Sequence, residues 1–374
     1  MFKHLHRPSI YNLLQLVLVI APVICFSQDD IQQEKKSFIK NTSIGTRFYY
    51  GSFITPTAKS EYIRDSYTSF GEIYVQYQTK GNRDWQLTHK YPQWGISFLY
   101  GNTGSRQYIG NMRALYGFIN APLLKSRNYT GSFLFGAGPG WVNKPYDVNT
   151  NPKNTIIGTK LNAFIHLMFQ NEIKITDRFF LNGNLSFMHL SNGGTTLPNL
   201  GLNIPAFSAG FRYAFSDPAT EIKPLSKTFT KKINYRIYAT IGVKQWPWVG
   251  SKAYVINTVQ AEAAKRVSLN NAYGAGIIFF YNRTLPHYSS EALAEPPHRN
   301  KLQAGIYGSY EHFLGKLSFP LQAGVYVYNR YRYPVLFQQF GLRFHFSKHM
   351  STEVILKTHM GKADFIHTGI GYNF

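Results

Sequence analysis

The chain is nearly without cysteine. Its one cysteine, Cys25, lies in an N-terminal apolar segment, LLQLVLVIAPVICF (13–26). Preceded by Lys3 and Arg7, that segment reads as a secretory signal ending near Ser27. Ile24 stands where a lipoprotein signal needs a small residue, so lipidation of Cys25 is not expected. The mature chain then has no disulfide and no thiolate nucleophile. Acidic residues are scarce too, 18 Asp+Glu against 40 Lys+Arg, for a formal charge of +22 that becomes +20 once Lys3 and Arg7 leave with the signal. An exported chain with this excess suits a polyanionic surface. The phosphorylated glycolipid of a bacterial outer leaflet is the expected partner, rather than nucleic acid. Beyond the signal, no apolar run approaches the ~20 residues of a spanning helix, which excludes a helical membrane protein. Disorder is excluded by 27 Tyr and 29 Phe, too many aromatics for a chain that cannot form a core.

What is present is alternation. In KINYRIYATIGVKQ (232–245) the odd positions are Ile233, Tyr235, Ile237, Ala239, Ile241 and Val243, and the even ones include Asn234, Arg236, Thr240 and Lys244. Period two with one apolar face marks a strand whose two faces meet different media. TKLNAFIHLMFQNEIKI (159–175) and LFQQFGLRFHF (336–346) behave alike. About sixteen such runs follow one another, each near the ~9–11 residues of a tilted transmembrane strand plus overhang. Short connections (ITDR, FLGK, FSKH) alternate with long ones (142–157, 192–202, 283–299). That asymmetry favours an outer-membrane barrel over a soluble β-sandwich. Phe374, with Tyr372, Ile370 and Thr368 on one face, resembles the C-terminal signature of bacterial outer-membrane barrels. The expectation is an all-β, antiparallel barrel of about 14–16 strands in the outer membrane, closed because unpaired edges cannot face lipid. The segment 217–231 is read as a periplasmic connection within that single barrel. An eight-strand unit followed by a second β unit is the alternative.

One strand end carries chemistry. In RFFLNGNLSFMHLS (178–191) the odd, apolar face includes Phe179, Leu181, Leu185, Phe187, His189 and Ser191. In the returning run NIPAFSAGFRYAF (203–215) the odd face begins at Asn203. Three polar residues thus converge on the lipid side, where polar groups need partners. Counting strands back from the C-terminus puts them at the external interface. A serine is a weak nucleophile without an adjacent base, and residues two apart on one strand face lie ~6.5–7 Å apart, within reach of a His–Ser hydrogen bond. The plain alternative is a strand that ends in interfacial polar residues.

The stretch HLSNGGTTLPNLGLN (189–203) closely resembles the active-site pattern of the outer-membrane lipid A 3-O-deacylases of PagL type, in the acyloxyacyl hydrolase family. The likeness extends over roughly 70–216 and does not reach 232–374. It implies a Ser-His-acid esterase on the barrel exterior, with lipid A or lipopolysaccharide as substrate. Matched residue by residue, it implies Ser191 as nucleophile and His189 as base. Asn192, Gly194 and Asn199 match the small polar loop, with the Asn199 side chain and the Gly194 N–H as oxyanion donors. Asn203 stands where the family has glutamate. It can orient a neutral histidine but offers no charge to the imidazolium. Glu172 is a poor substitute, because its parity places it in the lumen.

The expected organisation is a signal peptide (1–27), a periplasmic segment (28–42), a site-bearing barrel half (43–216), the connection 217–231 and further barrel strands (232–374). No cofactor and no metal are expected. His359, Asp364 and His367 in KTHMGKADFIH (357–367) read as a polar hairpin tip in preference to metal ligands, and YDVNTNPKN (146–154) as a loop over the site. GNTGSRQYIG (101–110) lacks the following helix that a phosphate loop needs. The competing function is a non-enzymatic barrel, a porin or structural protein with a degenerate site.

Overall fold

The computed structural model describes residues 39–216, 231–246, 248–285, 301–330 and 334–374. The signal segment and nearly all of the connection 217–231 lie outside the described residues. Among the described residues sixteen antiparallel strands form: β1 (Thr42–Gly51), β2 (Thr68–Gln78), β3 (Gln93–Asn102), β4 (Asn111–Lys125), β5 (Tyr129–Val142), β6 (Leu161–Lys174), β7 (Phe179–Ser191), β8 (Leu202–Ala214), β9 (Ile233–Gln245), β10 (Ala253–Arg266), β11 (Asn271–Asn282), β12 (Leu302–Leu314), β13 (Leu317–Asn329), β14 (Leu336–His345), β15 (Met350–His359) and β16 (Lys362–Asn373). A five-residue helix, α1 (Asp84–Thr88), joins β2 to β3.

The strands match the sequence periodicity, but they do not form the expected single barrel. They close as two barrels of eight strands each. β8 pairs back onto β1, from Ser43 opposite Ala214 to Gly51 opposite Ala206. β16 pairs back onto β9, from His367 opposite Gly242 to Asn373 opposite Arg236. Each closure satisfies both free edges, so β8 and β9 have no unpaired edge to offer one another. The alternative organisation, an eight-strand unit plus a second β unit, is the one adopted.

Both barrels are inside out relative to a soluble protein. On β9, Tyr235, Ile237 and Ile241 are exposed, whereas Arg236, Tyr238, Thr240 and Lys244 are buried. Eight strands leave an interior just wide enough for side chains, and polar networks share it with buried apolar clusters, around Phe164, Met168 and Leu190 in the first barrel and Phe280, Phe337 and Phe365 in the second. In the first barrel Arg47 donates to Glu72 at 3.0 Å and to Gln170 at 2.9 Å. The hydroxyls of Tyr49, Ser97 and Tyr116 also donate to Glu72. Arg212 pairs with Glu172 at 2.6 Å, which confirms that Glu172 faces the lumen. In the second, Arg343 bonds Glu353 at 2.9 Å and Glu311 at 3.1 Å, and Arg236 reaches Glu262 at 3.5 Å. A buried charge is tolerated only when paired in this way.

The barrels stand side by side with like ends together. At the short-turn end, Thr88 Oγ1 donates to Asn270 Oδ1 at 2.9 Å, and the Nε2 atoms of His89 and His312 lie 3.0 Å apart. Phe135 and Phe319 meet edge to face with centroids 5.0 Å apart. At the long-loop end, the backbone N–H of Gln245 donates to the carbonyl of Gly194 at 3.0 Å.

Candidate active site

β7 alternates outward odd residues with inward even ones, so His189 and Ser191 both lie on the exterior of the first barrel. The β7–β8 register sets His189 directly opposite Asn203. Directly opposed residues have Cβ atoms ~4.5–5.5 Å apart, and the side chains close the remaining gap. His189 Nδ1 lies 2.7 Å from Asn203 Oδ1. His189 Nε2 lies 2.9 Å from Ser191 Oγ. With the proton on Nδ1, the imidazole donates to the amide oxygen and presents the Nε2 lone pair to the serine hydroxyl. Ser191 is buried and His189 half-buried. Gly201 accounts for part of that cover: its φ is +79°, and a Cβ there would stand 2.8 Å from His189 Cε1. Only glycine lets the loop fold this closely over the ring.

The loop 192–201 is built by Asn192. Its Nδ2 donates to the carbonyl of Thr196 at 2.8 Å and to Thr159 Oγ1 at 3.2 Å. Its Oδ1 accepts the N–H of Gly194 at 3.0 Å. That bond engages the Gly194 N–H, expected as an oxyanion donor, inside the loop. Asn199 Oδ1 accepts the Asn192 N–H at 3.1 Å, which leaves Nδ2 as the side chain's donor. Asn192 thus shapes the loop, and Asn199 is fixed within it. A backbone bridge from Ile157 to Asn199 and bonds from the N–H groups of Leu200 (3.0 Å) and Gly201 (3.3 Å) to the carbonyl of Ile156 tie the loop to its neighbour. The Asn/Asp-rich segment 146–154 leads into the residues that contact this loop. It closes on its own Asp147–Asn151 bridge, and the two isoleucines just after it make the contact.

The other cluster resolves differently from a metal site. Met360 and Gly361 form the hairpin tip with positive φ. Asp364 is buried in the second lumen between Lys244 and Lys357, and His367 bonds Thr240 Oγ1 at 2.8 Å. Two ammonium groups occupy the carboxylate that a cation would need. Among the described residues no group of His, Cys, Asp and Glu suits a metal.

Comparison with known families supplies the decisive observation. Residues 70–212 match the family model described as lipid A 3-O-deacylase (PagL), and residues 233–374 match acyloxyacyl hydrolase, C-terminal domain. The chain belongs to the PagL family of lipid A deacylases. It is accordingly an outer-membrane enzyme, a hydrolase of ester bonds, with lipid A of the outer membrane as the family's substrate. No curated protein sequence matches it. Among solved structures it is similar to the Acinetobacter baumannii outer membrane protein Omp33, at 6% identity over 90% of this chain and 98% of that one, with a TM-score of 0.18. It is also similar to a mutant of TodX, a monoaromatic hydrocarbon channel, at 9% identity over 89% and 90% of the two chains, with a TM-score of 0.19. A mutant Rhodopseudomonas blastica porin aligns at 7% identity over 89% and 99%, with a TM-score of 0.17. Those overlaps are too loose to bear on function. The C-terminal match extends the deacylase family to residues 233–374, beyond the reach of the motif resemblance.

Proposed function

We propose that Ser191, His189 and Asn203 form the hydrolytic site of this deacylase, on the lipid-facing surface of the first barrel. The observation that carries the reading is the imidazole of His189 held between Asn203 Oδ1 at 2.7 Å and Ser191 Oγ at 2.9 Å. An acyl ester of lipid A enters from the outer leaflet with its chain along the exterior strands. His189 Nε2 takes the hydroxyl proton as Ser191 Oγ bonds to the carbonyl carbon. Asn203 accepts the Nδ1–H and keeps the ring in the required tautomer. Asn199 Nδ2 receives the developing oxyanion. The sugar oxygen leaves with the proton from His189, and an acyl-serine remains. Water, deprotonated by His189, then releases the fatty acid. The filled lumens argue against a pore as the main role.

The test is lipid A mass spectrometry. Expression of the wild-type chain should remove one ester-linked acyl chain, and Ser191→Ala and His189→Ala should each leave lipid A intact while the folded barrels keep their heat-modifiable gel mobility. Within a unit of this kind, losing either member costs nearly as much as losing both. Continued deacylation by Ser191→Ala would remove Ser191 as the nucleophile.

A further inference from the structure

We propose that the second barrel is a working part of the site, and that Gln245, at the end of β9, is a positioning residue for the first barrel's loop. The inference rests on the reading of Ser191 and Asn199 above and assigns a role to residues far from them in sequence.

The loop 192–201 has two arms with different supports. The arm ending at Gly201 is fastened within the first barrel, through Asn199 to Ile157 and through Leu200 and Gly201 to Ile156. The arm from Gly193 to Leu197 rests on the second barrel. Gln245 spans it in the manner of a strand residue. Its N–H donates to the carbonyl of Gly194 at 3.0 Å, and its Oε1 accepts the N–H of Leu197. Its Nε2 donates to the carbonyl of Ser251 at 2.7 Å, which fixes the carboxamide with the oxygen toward the loop. Beneath the same arm, Gly193 has φ +66°, and a Cβ there would stand 2.4 Å from Cδ1 of Ile366, an outward side chain of β16. Gly194 sits against the backbone of β16, its would-be Cβ 3.1 Å from the carbonyl of Asp364.

A loop clamped on one side only would hold Asn199 while leaving the Gly193–Leu197 arm to the Asn192 bonds alone. Clamped on both sides, the loop holds Asn192 and Asn199 in one arrangement beside Ser191. Catalytic donors work by being in place before charge develops, and misplacement by about 1 Å can cost on the order of a hundredfold. The second barrel therefore acts on turnover through the loop without touching the ester.

Full-length variants assayed on lipid A micelles test this. Gln245→Met keeps the size of the side chain and the backbone bond but removes both side-chain bonds. It should lower kcat about tenfold or more with KM within about twofold, and leave the heat-modifiable mobility unchanged. Gln245→Glu, which still accepts from the Leu197 N–H, should recover most of the loss. Ile366→Trp, which pushes the arm from below, should show the same kcat signature and covers the case of a Gln245→Met chain that does not fold. Wild-type kcat in both Gln245→Met and Ile366→Trp, with Ser191→Ala inactive, would overturn the positioning role alone. Activity retained in Ser191→Ala would overturn the underlying site instead.

Discussion

Asn203 stands where the family pattern has a carboxylate, and restoring charge there should speed the reaction. Sequence matching alone favours Asn203→Glu. The structure reverses that preference, because the amide oxygen of Asn203 already lies 2.7 Å from His189 Nδ1. Aspartate has the same shape and places an oxygen at the same point, whereas glutamate adds a methylene that has to be accommodated. A neutral hydrogen bond contributes about 0.5–1.5 kcal/mol and one to a charged group about 1.5–3. The imidazolium exists only after Ser191 gives up its proton, so the added charge acts mainly on the transition state. The expected gain is about 1–2 kcal/mol, or roughly 5–30-fold in kcat. Opposing it, a carboxylate near the bilayer interface costs up to about 1 kcal/mol in barrel stability. Fatty-acid release from lipid A micelles by purified Asn203→Asp, Asn203→Glu and wild-type chains decides the matter. An unchanged rate in a folded Asn203→Asp barrel would show that Asn203 does not orient His189 during turnover, and a lower one would refute the expected gain from charge.

Other perturbations have equally definite outcomes. Gly201→Ala places a methyl 2.8 Å from His189 Cε1 at φ +79°, so kcat should fall by on the order of tenfold to a hundredfold with little loss of fold, and a wild-type rate would show that the loop yields freely. Arg343→Met strips Glu311 and Glu353 of their shared cation and should cost about 3–5 kcal/mol, read as a lower urea midpoint for the second barrel. His89, in the connection between β2 and β3, is held below its ordinary pKa by burial and by the facing His312. Its neutral form is favoured only in the docked state, so stability is full above pH about 6.5 and falls as the pH drops below it. Acidification to pH about 5 should therefore shift the fluorescence of Trp85, which packs on Gly315 of the other barrel. His89→Gln should abolish the shift, and a shift persisting in that variant would exclude the histidine pair as its cause.

The strands and their faces were legible because alternation is local. The sixteen runs read from the sequence correspond one to one with β1–β16, and the exposed Tyr235, Ile237 and Ile241 beside buried Arg236 and Lys244 are those the period of two assigns. The convergence of His189, Ser191 and Asn203 was legible for the same reason: parity put all three on one face, and β8 returns antiparallel beside β7. The shape of the loop was not. That Asn192 captures the Gly194 N–H depends on side-chain geometry within the turn, which residue spacing does not reveal.

The amino-acid sequence by itself determined the strand count, the inward and outward faces, the reversal of polarity that suits a lipid surround, and the residues available for ester chemistry. Each depends on neighbours one or two positions apart. Tertiary structure alone decided that β8 closes on β1 instead of pairing with β9, because every strand edge is chemically alike and closure at eight is set by the collective fit of Arg47, Glu72, Arg212 and their partners inside one lumen, and of Arg236, Arg343 and Glu311 inside the other. It also decided that Gln245, more than fifty residues from Ser191, meets the loop beside it. No pattern along the chain encodes a contact between two separately closed barrels. It exists only once both have formed and their exterior side chains meet.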